Sequence, residues 1–346
     1  MRKLLSSVSL ALTLGLSSTA HASLQQLSNL FVFGDSLSDG GNSGLLTQAA
    51  TGGAYTFPPA PYAGGRYSNG PVAVEQLWQL YNPGDTSFKP SLAGGTNYAI
   101  GGATSGLENY NSVNPSTGGL APIFGQKGNA WQLATFAAQN PTFDPATSLF
   151  VVWLFPNDVF NWSVTGQLPG TAVGAPGSAG DVSALIGNGI NNIIATVTFL
   201  AAHGGRHFLV PNMPNLSLTP AFAGSPDLNN LSNAFDANLA LALSGLQAAV
   251  PSIEIVQFDT NAAFQNLITN KAAYGLTDTS TACLSSPTCD PNTWLFWDGV
   301  HPTAKGHALL AAQFKAAIPE PSSIVLLMTS LLMFTFGVAQ RRSQRP

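Results

Sequence analysis

Two unbroken apolar runs constrain this chain more than anything else in it: Ser148 to Phe155, SLFVVWLF, and His207 to Val210, HFLV. A strand with one face in water alternates polar and apolar residues, so a continuous run marks a strand covered on both faces. Helical periods lie between such runs. Asp181 stands where it can cap a helix carrying Leu185, Ile186, Ile190, Ile193, Ile194, Val197 and Ala201 at helical spacing, and Gly204-Gly205 ends it. Phe235, Leu239, Leu243 and Leu246 line another helix, Ile253 to Phe258 reads as a strand, and a last helix after Thr303 carries Leu309, Leu310, Phe314 and Ile318. Upstream, Leu30 to Phe33 reads as a buried strand. Pro71 to Tyr81 reads as a helix with Pro71 in its first position and Val74, Leu77, Trp78 and Tyr81 on one face. Doubly buried strands alternating with helices specify a parallel sheet with helices on both sides. Ligands of such sheets bind beyond the carboxyl ends of the strands, here just after Phe33, Ile100 and Phe155 and near the last helix.

The two ends of the 346-residue chain read differently from its body. Arg2 and Lys3, the apolar stretch from Leu10 to Leu16 and the small-x-small triplet Ala20-His21-Ala22 have the layout of a secretory signal peptide over residues 1–22. At the other end, Pro319-Glu320-Pro321 precedes an uncharged apolar segment that closes on Arg341, Arg342 and Arg345. That segment is just long enough to enter a bilayer, with its arginines left on the cytoplasmic side. In its three parts and their order, the tail over residues 319–346 resembles the PEP-CTERM sorting signal of Gram-negative bacteria. The resemblance implies an exosortase-type processing enzyme as partner and transient membrane contact; a permanent anchor is the alternative. Either way the body, residues 23–318, is expected outside the cytoplasm, extracellular or on the cell surface, and is expected to form one domain.

Five of the twelve Lys and Arg residues sit in those two ends, and the remaining seven are scattered from Arg66 to Lys315. Without a basic stripe to neutralise phosphates, nucleic acid is not an expected partner. Cys283 and Cys289 are the two cysteines. They have no nearby histidine to complete a tetrahedral zinc site, so an exported chain is expected to join them in a small disulfide loop.

After the first strand comes Gly34-Asp35-Ser36-Leu37-Ser38-Asp39. A turn there presents Ser36 at the sheet edge, but a serine needs a base. Of five histidines, His21 lies in the leader, His203 at a helix end, and His207 at the start of a strand. His307 falls within the last helix, where it is expected to face solvent or a local partner. His301 remains, in Trp297-Asp298-Gly299-Val300-His301-Pro302-Thr303, with a carboxylate three residues ahead of the imidazole. Asp298 is placed to hold Nδ1 and leave Nε2 free to take the Ser36 proton. An oxyanion needs donors as well: Gly101-Gly102 after Asn97-Tyr98-Ala99-Ile100, and the Asn157 amide after SLFVVWLF, are the candidates.

The order GDSLSD, NYAIGGA, PND and DGVHPT, with GRYSNGPV over 65–72, resembles the blocks of the SGNH/GDSL serine esterases and lipases across most of the body. The resemblance implies a three-layer α/β/α sandwich with a flavodoxin-like parallel sheet. It implies hydrolysis of carboxylic esters, of lipids or of acylated polysaccharide, with neither metal nor organic cofactor. Ser36 would be the nucleophile, His301 the base and Asp298 its orienter. The Ser36 amide, the Gly102 amide (Gly101 if the block is offset by one) and the Asn157 side chain would form the oxyanion hole. One departure stands out: the third block has Phe155 where the family has glycine, which is expected to narrow the acyl pocket or make it more apolar. A surface or matrix protein that keeps the fold without turnover, and an acyltransferase using the same residues, are the rival readings.

Overall fold

The computed structural model describes Leu24 and residues 26–319. The signal peptide read at residues 1–22, and all of the sorting tail read at 319–346 except Pro319, lie outside them. The central sheet contains β1 (Asn29–Gly34), β2 (Ser148–Trp153), β3 (His207–Pro211) and β4 (Glu254–Phe258), side by side in that order and all parallel. β1 and β2 pair from Asn29 opposite Ser148 to Gly34 opposite Trp153. A further ribbon, residues 96–100, runs along the outer side of β1. Val32 N donates to Thr96 O at 3.1 Å, Tyr98 N to Val32 O at 2.8 Å and Ile100 N to Gly34 O at 3.2 Å. In chain order this ribbon comes between β1 and β2, yet it lies beyond β1. The sheet order therefore reverses next to β1, as in a flavodoxin-like arrangement, and a reversal of this kind opens a crevice at the carboxyl ends.

Helices α1 (Asn42–Thr51), α2 (Ala73–Tyr81), α3 (Asn129–Gln139), α4 (Pro156–Thr165), α5 (Val182–Ala202), α6 (Pro226–Ala249), α7 (Thr260–Thr269) and α8 (Ala304–Ala317) surround the sheet. Successive strand residues point to opposite faces. On one face Phe31, Phe33, Phe150, Val152, Phe208 and Val210 pack against α3, α5 and α6. On the other, Trp153 and Phe258 meet the Phe314 ring of α8 at 5.5 and 4.7 Å, and α8 packs in turn on α2. The expected three layers follow.

Asp181 caps α5 by accepting the Ala184 amide, and Thr303 caps α8 by accepting that of Gly306. The second helix differs from the reading at Pro71: it begins at Ala73, not at Pro71. Its first turn is set by Glu75, whose carboxylate accepts the Val72 amide at 3.0 Å and pairs through both oxygens with Arg66. A short parallel pair, β5 (Asp278–Ala282) and β6 (Trp294–Phe296), leads towards α8. The loop between them carries the Cys283–Cys289 disulfide, with Cα atoms 5.1 Å apart.

Candidate active site

Ser36 follows β1, Gly102 follows the 96–100 ribbon, Asn157 lies in the first turn of α4 directly after β2, and His301 stands just ahead of α8. Strand ends thus bring together residues far apart in sequence. Ser36 Oγ lies 2.7 Å from His301 Nε2, and His301 Nδ1 lies 2.7 Å from Asp298 Oδ2. The second carboxylate oxygen of Asp298 accepts the Val300 amide at 2.9 Å and the His301 amide at 2.8 Å.

The GRYSNG segment holds the histidine loop in place. Ser68 Oγ donates to Pro302 O at 2.9 Å, and Asn69 Oδ1 accepts the Ala304 amide at 2.8 Å. The segment is itself anchored by the Arg66–Glu75 pair, and its Tyr67 ring lies 5.3 Å from the His301 ring.

Ser36, Gly102, Asn157, Asp298 and His301 line one cavity of about 520 Å³, a size typical of a small-ligand site. Phe57, Pro59, Tyr110, Phe160, Leu216 and Phe222 form much of the rest of its wall. The two candidate glycines differ in their surroundings. The Gly101 amide is already spent on Asp39 Oδ2 at 2.9 Å and Ser43 Oγ at 3.0 Å. Gly102, at φ 78°, sits on the cavity wall, and a Cβ there would collide with Asn109 and Asn111.

Burial works against charge on both His301 and Asp298, but their mutual attraction and hydrogen bond outweigh it. The Asp298 carboxyl is drawn down to about 2. His301 is raised above the usual imidazole value by Asp298, with a smaller contribution from Asp35. Asp35, beside Ser36, is pushed up to about 6 by burial, against the Leu37 amide, the His301 charge and Asn157. Among the described residues no group of three or more His, Cys, Asp or Glu is arranged to hold a metal ion.

Two sequence expectations need correction. The Phe155 ring does not narrow the acyl pocket: it is fully buried, stacked on Phe235 at a centroid distance of 3.6 Å, and absent from the cavity wall. Its φ of 112° turns the side chain away into the core while the next two residues reach the site. His307 does not face solvent or a local partner. It is fully buried, its Nδ1 accepts the Ala73 amide at 3.2 Å from a distant part of the chain, and burial pushes its pKa down to about 3. The other readings hold: His203 caps α5 and His207 packs in β3 against Glu254 at 2.9 Å.

Sequence reasoning missed Tyr62, whose hydroxyl donates to Asp298 Oδ2 at 2.7 Å across 236 positions of sequence. No local pattern announces such a contact. It also missed Asp39 and Asp158, which could have been suspected as acidic partners inside the GDSLSD and PND blocks.

A model of the GDSL-like lipase/acylhydrolase family matches residues 30–314. The chain belongs to this family. The GDSL relatives include an esterase/lipase of Arabidopsis thaliana, 24% identical over 82% of this chain and 80% of that protein. Esterase EstA of Pseudomonas aeruginosa is 29% identical over 92% of this chain but 51% of its own length, so the chain spans about half of that relative. Among solved structures, a variant of an acetyl-xylooligosaccharide esterase from Geobacillus stearothermophilus aligns with TM-score 0.43 and 14% identity over 86% of this chain and 96% of that one. The GDSL protein described here is a carboxylic ester hydrolase.

Proposed function

We propose that this GDSL protein cleaves acyl esters through a covalent acyl-Ser36 intermediate, with the acyl chain lying along the apolar cavity wall. One observation carries the reading: the unbroken chain Ser36 Oγ–His301–Asp298, with both links at 2.7 Å, on the wall of that cavity. His301 Nε2 takes the hydroxyl proton as Oγ attacks the ester carbonyl, and returns it to the leaving alkoxide. Asp298 holds the imidazole by Nδ1 and stabilises the imidazolium. The amides of Ser36 and Gly102 and the side chain of Asn157 bind the oxyanion. Water then attacks the acyl-enzyme by the same route in reverse.

Phe57, Phe160, Leu216 and Phe222 on the cavity wall favour short-to-medium acyl chains over acetyl groups of a polysaccharide. We also place the enzyme outside the cytoplasm. The leader-like residues 1–22, the PEP-CTERM-like tail and the Cys283–Cys289 disulfide support that reading. The test is a series of aryl esters from acetyl to decanoyl, with Ser36→Ala alongside. Turnover should peak above acetyl and fall by about four orders of magnitude or more in the variant. A variant that keeps over a tenth of the rate refutes the serine route, and an acetyl optimum refutes the substrate class.

A further inference from the structure

Asp298 accepts more hydrogen bonds than a base-orienting carboxylate requires. Its Oδ1 takes two backbone amides of its own turn, those of Val300 and His301. Its Oδ2 is shared between His301 Nδ1 and the hydroxyl of Tyr62, each at 2.7 Å. Tyr62 reaches it from the cavity-lining loop after the Phe57–Pro58 turn. Its ring is held edge-on against Trp297 at 6.3 Å and Tyr67 at 6.4 Å. The phenol is a fixed donor there, because burial and the Asp298 charge both oppose its ionisation.

We propose that Tyr62 is a positioning residue of the hydrolytic site, whose hydroxyl sets the proton affinity of His301 by sharing Asp298 Oδ2 with it. The proposal rests on the Ser36–His301–Asp298 assignment. A donor on a carboxylate oxygen disperses its negative charge and weakens its hold on the imidazolium opposite. The other titratable groups around His301 do not substitute for this. Asp35, on the nucleophile loop, acts from a distance; Tyr67 presents its ring; and buried His307 stays neutral. Tyr62 thus keeps the base less basic than an unshared Asp298 would make it, so that it gives its proton to the leaving group more readily. Because the same side chain forms part of the cavity wall, it also ties the wall to the base.

The experiment compares the wild type with Tyr62→Phe and Tyr62→Leu in two ways. The His301 ring C–H resonance is titrated by NMR, and kcat/KM is followed against pH with one medium-chain aryl ester. Both substitutions should raise the His301 pKa, and with it the acidic limb of the profile, by roughly half to one pH unit. Tyr62→Leu, which also loses the ring, should in addition raise KM. Overlapping His301 titrations for the wild type and Tyr62→Phe overturn the proposal, as does a shift seen only with Leu, which would assign the effect to the ring. The NMR titration needs no turnover, so failure of the esterase reading would show separately, as absent hydrolysis by the wild type.

Discussion

Replacing Phe155 with glycine and, separately, with alanine tests what a phenyl ring does in a position the chain reaches at φ 112°. The ring is fully buried against Phe235, and a Cβ on Gly189 of α5 would collide with it. Removing such a ring costs about 3–5 kcal/mol in lost burial and cavity formation. Glycine adds ~0.5–1 kcal/mol of backbone entropy but relieves ~1–3 kcal/mol of strain from the positive φ. The net destabilisation is therefore about 2–4 kcal/mol for Phe155→Gly, a fall in Tm of roughly 3–6 °C for a body of this size. Phe155→Ala loses the same ring without relief, so it should be the less stable of the two by ~1 kcal/mol. Thermal unfolding of the three proteins measures the order. The ester series then asks whether the ratio of medium-chain to acetyl turnover moves, and it should not, because the ring is absent from the cavity wall. Alanine as stable as glycine refutes the strain, and a preference shifted towards longer chains refutes the placement of the ring in the core.

Asn157→Ala should lower kcat about 10²–10³-fold with KM little changed, measured with the same aryl esters, if its amide serves the oxyanion as proposed and not the bound ester. His307→Gln probes acid stability. The buried imidazole protonates only near pH 3, whereas the unfolded one does so near 6.5, so the unfolded chain binds more protons throughout that interval. The wild type's stability advantage over the glutamine variant should be complete above pH 6.5 and shrink by up to about 1.4 kcal/mol per pH unit below it. Taking the difference between the two proteins cancels the opposing contributions of Asp35, Asp158 and Asp236, whose raised carboxyls favour the fold as pH falls. Parallel denaturation curves at pH 7 and pH 4 would refute the assignment.

The sheet was legible because its strands are buried on both faces: from Leu149 to Phe155 SLFVVWLF has no polar position at which an alternative register could compete. The same logic exposed α5 and α6, whose apolar stripes are long. It did not reach α1, α3, α4 and α7, which at 10 or 11 residues each are too short for a helical period to stand out from the surrounding sequence. Asn157 was legible as a donor but Phe155 was misplaced, since a family glycine replaced by phenylalanine says only that a Cβ has appeared. Which way it points depends on φ, and on Phe235 lying eighty residues further on. His307 was misjudged for a related reason. Helical spacing gives its angle on α8 but not the presence of α2, whose Ala73 amide it accepts.

Oxyanion donors raise a packing problem, and the buried carboxylates explain how it is met. A backbone amide that must face a cavity cannot be fixed by apolar burial on that side, so the loop bearing it has to be held from behind by polar bonds. Asp39 does this for the nucleophile and glycine loops together. One oxygen accepts the Gly41 and Asn42 amides, the other accepts the Ser43 and Gly101 amides and the Ser43 hydroxyl, and the two loops are joined through a single side chain. Asp158 does the same behind Asn157, accepting the Ser105 amide and hydroxyl. Burial raises both carboxyls, Asp158 to about 7, so these bonds are made by groups whose ionisation the fold itself opposes. Apolar residues of the same volume would be cheaper in stability but would leave the Ser105 amide buried without an acceptor and the Gly101 amide with only the Ser43 hydroxyl. The GDSLSD and PND blocks are therefore more than a nucleophile and a donor with neighbours. In each, the last aspartate, Asp39 or Asp158, holds a neighbouring loop by its backbone amides before substrate arrives, and under the proposed mechanism that fixed geometry would let the donors act on the oxyanion without reorganising.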